Sequence, residues 1–367
     1  MPYEDVIEPP EIMAAFGQED SASAQATSAA LLALGWQLSD PSGWARSVPV
    51  SDEDEEYLFS GLGGGRRSRS RISRYVAQGI LNELGGDDRP ETEVRRSLIQ
   101  QYREQPSAEF AAALFESCLN HDDALVRVAS AASYVEIATE FGFLLDILAR
   151  GCGGDDLLVR EVAAAALGRV APEHPALDQP WDASTRGPED LSPLGTSLIV
   201  HGTFAKREEW WQPNGKFHTY IRKNVRLNLY SKPDRFSWSG GYSVAARALA
   251  AEELVQWVDS RDGDNIDILA HSHGGNVAML ATHLGLSIGT LILLSVPVHW
   301  RRYSPRAGRV GRCVSIRVHC DLVILADRGR QRFHDPRIRE YVLPIWFKHG
   351  ATHDPAAWRH ERLDQLF

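Results

Sequence analysis

The apolar positions of this chain keep two different rhythms. Between about residues 92 and 172, Ala, Leu and Val recur at three- and four-residue spacing, the period of a helix with one buried face. That spacing predicts helices over 110–119, 125–137, 142–150 and 158–170. From residue 196 onward the period shortens. Runs of β-branched and aliphatic residues, "TSLIV" (196–200), "IDILA" (266–270), "TLILLS" (290–295), "VSIRVH" (314–319) and "YVLPIWF" (341–347), alternate with helical stretches near 243–258, 275–284 and from Pro355. Strands that are apolar throughout and separated by helices predict a mostly parallel sheet covered on both faces, an α/β domain.

Punctuation separates these regions. The segment 171–195, "APEHPALDQPWDASTRGPEDLSPLG", carries repeated breakers and reads as a connection. Ahead of the helical region, residues 29–38 suit one helix, and "SDEDEEY" (51–57) and "GLGGGRRSRSR" (61–71) read as a flexible charged linker. The glycines there do not make a nucleotide loop, because neither G-x-x-x-x-G-K-[ST] nor a preceding apolar strand is present. The expected organisation is a partly helical N-terminal region (1–90), an all-α repeat domain (91–172), a linker (173–195) and an α/β domain (196–367).

Within the helical region the sequence repeats itself. "DDALVRVASAASYV" starts at Asp122 and "DDLLVREVAAAALGRV" at Asp155, which places Arg127 and Arg160 in register 33 residues apart. The pattern resembles HEAT repeats, and the resemblance implies an Asp capping the second helix of each pair and alanines that let helices approach closely. A generic Ala-rich bundle predicts the same helical, non-catalytic domain. Two units are few for such a stack, so a further helix pair over 72–104, or docking onto the following domain, is expected.

Composition narrows the function. At 367 residues and 43% hydrophobic content the chain can bury a large core. A net charge of −10 argues against a nucleic-acid binder. Four cysteines without C-x-x-C pairing suggest neither a disulfide framework nor a zinc knuckle. The start, "MPYEDVIEPPEIMAAF", has no signal-peptide character, and no apolar run is long enough to span a bilayer, so a cytoplasmic protein is expected.

In a parallel sheet, chemistry collects at the carboxyl ends of the strands. There the chain places His201-Gly202-Thr203-Phe204, then His271-Ser272-His273-Gly274-Gly275, then Asp321, and last Lys348-His349 with His353 close behind. The order Ser, Asp, His follows a turn with backbone donors. With "LIVHGTFA", "FSWSGGYSVAAR" (236–247), "AHSHGGNVA" and the late HxxxHDPxxW, residues 196–367 resemble the α/β-hydrolase superfamily. The likeness is to its lipase and esterase branch, including enzymes similar to GPI-inositol deacylases.

The resemblance implies that Ser272 is a nucleophile on a sharp strand-to-helix elbow, with small residues (Ala270 and Gly274) two positions to either side. It implies a base at His349, with His353 as the alternative, and an acid at Asp321, with Asp327 as the alternative. An oxyanion hole would come from the backbone amides of Thr203 and His273, with Phe204 as an alternative donor. Trp210, Trp211 and the turn residue His201 are candidates for the substrate wall, against the alternative of plain core packing; "FSW" reads as a buried strand. His271 and His273 flank the serine on different sides of the elbow, too few and too divergent for a zinc site.

The expected function is a serine hydrolase acting on a hydrophobic, lipid-like ester through an acyl-serine. It needs neither metal nor organic cofactor, and the helical domain would serve as a docking module for a protein partner. A serine amidase with the same residues, or an inactive hydrolase-fold scaffold, stand as alternatives.

Overall fold

The computed structural model describes residues 21–39, 71–85, 89–178, 197–225, 228–261, 266–299 and 302–366. The acidic stretch 51–57, nearly all of the Gly-rich basic one and the connection from 179 to 196 lie outside these residues, as do Trp300 and Arg301. The chain divides into two compact units, Met1–Leu167 and Gly168–Phe367. Among the described residues no helix is long and apolar enough to cross a membrane.

The first unit is helical. Helix α1 (Ser21–Ser39) is followed by α2 (Arg74–Gly85) and α3 (Glu91–Glu104), the additional pair expected over 72–104. Then come α4 (Ala108–Cys118), α5 (Ala124–Tyr134) and α6 (Gly142–Cys152), with α7 (Leu157–Val170) running across the end of the unit. Helix α1 lies so close to α5 that a Cβ on Gly35 would sit 2.5 Å from that of Ser133. The Ser133 hydroxyl donates to Leu31 O at 2.7 Å across this contact.

The repeat seen in the sequence is built twice in three dimensions. Asp123 caps α5 by accepting the Leu125 and Val126 amides, and Asp156 accepts that of Val159 at the start of α7. Arg127 donates to His121 O and, at 2.7 Å, to Asp122 O. Arg160 donates to the corresponding carbonyls, Gly154 O at 3.0 Å and Asp155 O at 3.1 Å. Each arginine thus satisfies the carbonyls of the turn that feeds its own helix.

The second unit carries a five-stranded sheet in the order β1-β2-β3-β4-β5, parallel at every pairing. Its strands are β1 (Ser197–Val200), β2 (Ile266–His271), β3 (Ile288–Leu294), β4 (Val310–His319) and β5 (Ile338–Trp346). Between them run α8 (Lys216–Asn224), α9 (Val244–Asp259), α10 (His273–His283) and α11 (Leu322–Ala326), and α12 (Pro355–His360) follows β5. Successive strand residues go to opposite faces. Ile268, Ala270, Leu291 and Leu293 join a core that includes α9 and α10 residues. Leu269, Ile292, Leu294 and Ile316 join another that includes Phe217, Ile221 and Trp358. Both faces are therefore buried, which is why these strands read as unbroken apolar runs. Pro344, which cannot donate to a ladder, sits on the edge strand β5.

Three local expectations change. "FSW" is no strand: Phe236 and Trp238 are buried, but their backbone is irregular and their burial comes from side-chain packing alone. Helix α10 starts at His273, two residues earlier than expected, because the chain turns from strand to helix within Ser272. Helix α8 was not expected, although Phe217, Tyr220 and Ile221 already mark a helical face by their spacing.

Glycines test this packing. An added Cβ on Gly274 would lie 2.5 Å from His201 O and 2.7 Å from Val200 O, whereas one on Gly79 of α2 meets nothing within 4 Å. Gly79→Ala is expected to raise stability by roughly 0.5–1 kcal/mol through the unfolded-state entropy of glycine. Gly274→Ala is expected to lower it by about 1–3 kcal/mol as main chains are forced apart. Calorimetric melting of both variants checks the signs, and a neutral Gly274→Ala would contradict the close approach.

Candidate functional site

The carboxyl ends of β1, β2, β4 and β5 bring the expected residues together around Ser272. This serine holds φ 52° and ψ −134°, a conformation that costs a non-glycine residue about 1–3 kcal/mol. Its amide donates to Leu294 O at 2.9 Å, and its carbonyl accepts from Gly275, so strand β3 and helix α10 hold it from both sides. The loop after β1 crosses directly over the elbow: a Cβ on Gly202 would lie 2.8 Å from Ser272 Cβ and 3.1 Å from His271 O. Only glycine permits that approach.

Gly202 delivers the next residue, Thr203, beside the first turn of α10. Thr203 Oγ1 lies 2.7 Å from His273 Nδ1. Among the described residues no backbone carbonyl accepts from the amides of Thr203 or His273, while that of Phe204 is already committed to Gly240 O at 3.0 Å. Phe204, at φ 62°, is thus a poor third donor.

Asp321 and His349 meet on the other side. His349 Nδ1 lies 2.8 Å from Asp321 Oδ2, with both side chains buried. The second carboxylate oxygen, Oδ1, accepts the Val323 and Ile324 amides at 3.0 and 3.2 Å, capping α11. Gln331 brackets the Asp321 main chain, accepting from its amide and donating to its carbonyl. The His349 ring lies 4.6 Å from that of His271, the residue before Ser272.

His353 has different surroundings. It stacks on Trp210 with centroids 4.0 Å apart and packs edge-on against His271. Burial, reinforced by His349, pulls it down to about 3. Burial and the same two neighbours, His353 and His349, depress His271 well below the ordinary imidazole value. Asp354 beside His353 is the N-cap of α12, with Pro355 at its first turn.

The adjacent tryptophans separate. Trp210 is half-buried and lies against His271 and His353. Trp211 is core: it is 2% exposed, donates to Ala205 O and packs on His201. His201 is enclosed between Trp211 and Trp238, whose indole donates to the His201 carbonyl. Its Nδ1–H donates to Gly202 O, and burial pulls its pKa down to about 4. His201 and Trp211 therefore support the turn from beneath.

A second polar cluster lies on the far side of His273. Asp327 Oδ2 is 3.2 Å from His273 Nε2 and 2.8 Å from His299 Nε2, and Tyr242 donates to Oδ1. Burial favours protonated Asp327, but the two imidazoles outweigh it and hold the carboxyl well below its ordinary value. His273, His299 and Asp327 offer ligand atoms that all lie within 4.8 Å of one another, a donor set able to hold a metal ion. His299 follows β3, so the strand-end rule that led to Ser272 also points to it.

Buried neutral histidines make the fold sensitive to acid. His201 and His353 titrate near 4 and 3 when folded but near 6.5 when unfolded, so below about pH 6.5 the unfolded chain binds more protons. Their stabilising contribution is whole above that pH and is lost as pH falls, by up to about 1.4 kcal/mol per pH unit for each histidine. Urea midpoints measured from pH 7.5 to 5 should fall accordingly, and His353→Gln should flatten the slope. An unchanged slope would remove His353 from the account.

No known family, curated protein or solved structure matches this chain.

Proposed function

We propose that the second unit is a serine hydrolase of carboxylic esters, resembling the lipase and esterase branch of the α/β-hydrolase superfamily. The observation that carries this reading is the buried Asp321–His349 pair, 2.8 Å apart, whose imidazole lies 4.6 Å ring to ring from His271, the residue before a serine in a left-handed strand-to-helix turn. The chain order Ser272, Asp321, His349, each following its own parallel strand, supports the same reading.

The proposed chemistry uses groups already placed. With Nδ1–H donated to Asp321, the lone pair of His349 is on Nε2, the atom that accepts the Ser272 proton as the hydroxyl attacks the ester carbonyl. Asp321 stabilises the resulting imidazolium. The carbonyl oxygen becomes an oxyanion, for which the Thr203 and His273 amides are the assigned donors. Nε2–H then protonates the departing alcohol, and water resolves the acyl-serine by the reverse sequence. His353 does not serve as the base: its ring is stacked on Trp210, and its depressed pKa makes it a weak proton acceptor. Trp210, half-buried beside the elbow, is the residue we assign to the acyl wall. The helical unit is assigned a docking role, because stacked helix pairs present extended surfaces to protein partners.

A fluorophosphonate probe followed by peptide mapping tests the nucleophile. Labelling is expected at Ser272 and lost in Ser272→Ala; no labelling of folded protein sinks the enzyme reading. With p-nitrophenyl esters, His349→Ala should reduce kcat by roughly 10⁴-fold or more. His353→Ala should retain most of its turnover, and a wild-type rate for His349→Ala would overturn the assignment of the base.

A further inference from the structure

We propose that His273, His299 and Asp327 form a binding site for one divalent transition-metal ion of the zinc class, separate from the ester chemistry proposed for Ser272. Two imidazoles and one carboxylate are the donor types such an ion takes, usually with a water or further ligand in the fourth position. At metal–ligand bonds of about 2.0–2.1 Å, tetrahedral ligand atoms stand roughly 3.3–3.4 Å apart. Here Asp327 Oδ2 is 3.2 Å from one imidazole nitrogen and 2.8 Å from the other. An ion takes the place of the two protons that now bridge these atoms, which pass to the Nδ1 positions, and the carboxylate need part from each imidazole only by tenths of an ångström; all three ligand atoms lie within 4.8 Å of one another.

Two of the three ligands, His273 and Asp327, have the outer partners a metal site requires. A metal-bound His273 Nε2 fixes the proton on Nδ1, and Thr203 Oγ1 stands 2.7 Å away to accept it. Asp327 uses Oδ2 toward the imidazoles, while Oδ1 is held by the Tyr242 hydroxyl. His299 is fixed by the main chain: Val298 and Arg330 exchange two hydrogen bonds, 3.0 and 3.1 Å long, which tie the His299 loop to the segment following Asp327. His273 and Asp327 are buried, and the His299 side chain is 28% exposed, so the set is rigid inside and opens to solvent at one ligand. That opening is the path of entry.

Occupancy has a local consequence. Without metal, Nε2–H donates to Asp327 and the Thr203 hydroxyl spends its hydrogen on Nδ1. With metal, Thr203 becomes the acceptor, and its own hydrogen is released beside the amide assigned to the oxyanion. The ion would thereby couple the loop after β1 to helix α10 without entering the reaction.

The test uses the full chain, freed of metal by a chelator and titrated with Zn²⁺ alone by calorimetry, then with Co²⁺ by visible absorption. One ion per chain is expected, together with the intense visible bands of four-coordinate cobalt. His299→Ala should weaken Zn²⁺ binding by roughly 100-fold or more, since even an outer partner's loss costs about 10–100-fold. His360→Ala, at an exposed histidine outside the set, should bind as wild type. Absence of saturable binding, the faint spectrum of six-coordinate cobalt in the wild-type chain, or equal affinity in His299→Ala would overturn the site and leave a purely hydrogen-bonded cluster. None of these readouts depends on ester turnover, so failure here and failure of the Ser272 labelling are separate results.

Discussion

Everything around Ser272 depends on one steric constraint: two main chains pass at a distance that no side chain could survive. The loop after β1 crosses the elbow where Gly202 faces Ser272 Cβ, and helix α10 meets the end of β1 where Gly274 faces the carbonyls of Val200 and His201. Main chains this close leave the serine no freedom to relax into a common conformation. Hydrogen bonding alone could not enforce such an arrangement, because water competes for every donor; excluded volume has no competitor.

The sheet was legible because burial on both faces leaves an apolar run with little else to be. The five strands lie where those runs lie, and the helical repeat was visible because it needs the same residues twice, an Asp to cap and an Arg to close the turn. Residues Ser272, Asp321 and His349 could be picked out by their places after strands, though nothing in the sequence measured the distance between the last two. Other features had no local signature. Trp210 and Trp211 are the same residue type side by side, and only the turn that follows β1 decides which is core. Phe236 and Trp238 carry a strand's composition without a strand's backbone, since burial, not pairing, is what their side chains supply. The joining of His273, His299 and Asp327 is set by which strands are neighbours in the sheet, information that no short window contains.

Five histidines of the second unit form two groups separated by the elbow. His271, His349 and His353 crowd one side, where each charge raised would oppose the next. His273 and His299 face a common carboxylate on the other. Positions two apart around a strand-to-helix turn send His271 and His273 to opposite environments, so one short motif, "HSH", feeds two unlike polar clusters. The serine between them belongs to both by chain and to neither by charge.

The divided duty of Asp321 has a further consequence. One of its oxygens is held by two amides of a helix start, so the carboxylate plane is set by main chain that exists whether or not His349 is present. The remaining oxygen has one direction in which to point. An imidazole arriving there finds an acceptor already aimed, and its proton is assigned to a particular nitrogen during folding, before any ligand enters. The orientation of the pair is therefore a property inherited from a helix cap, main chain that His349 itself does not build.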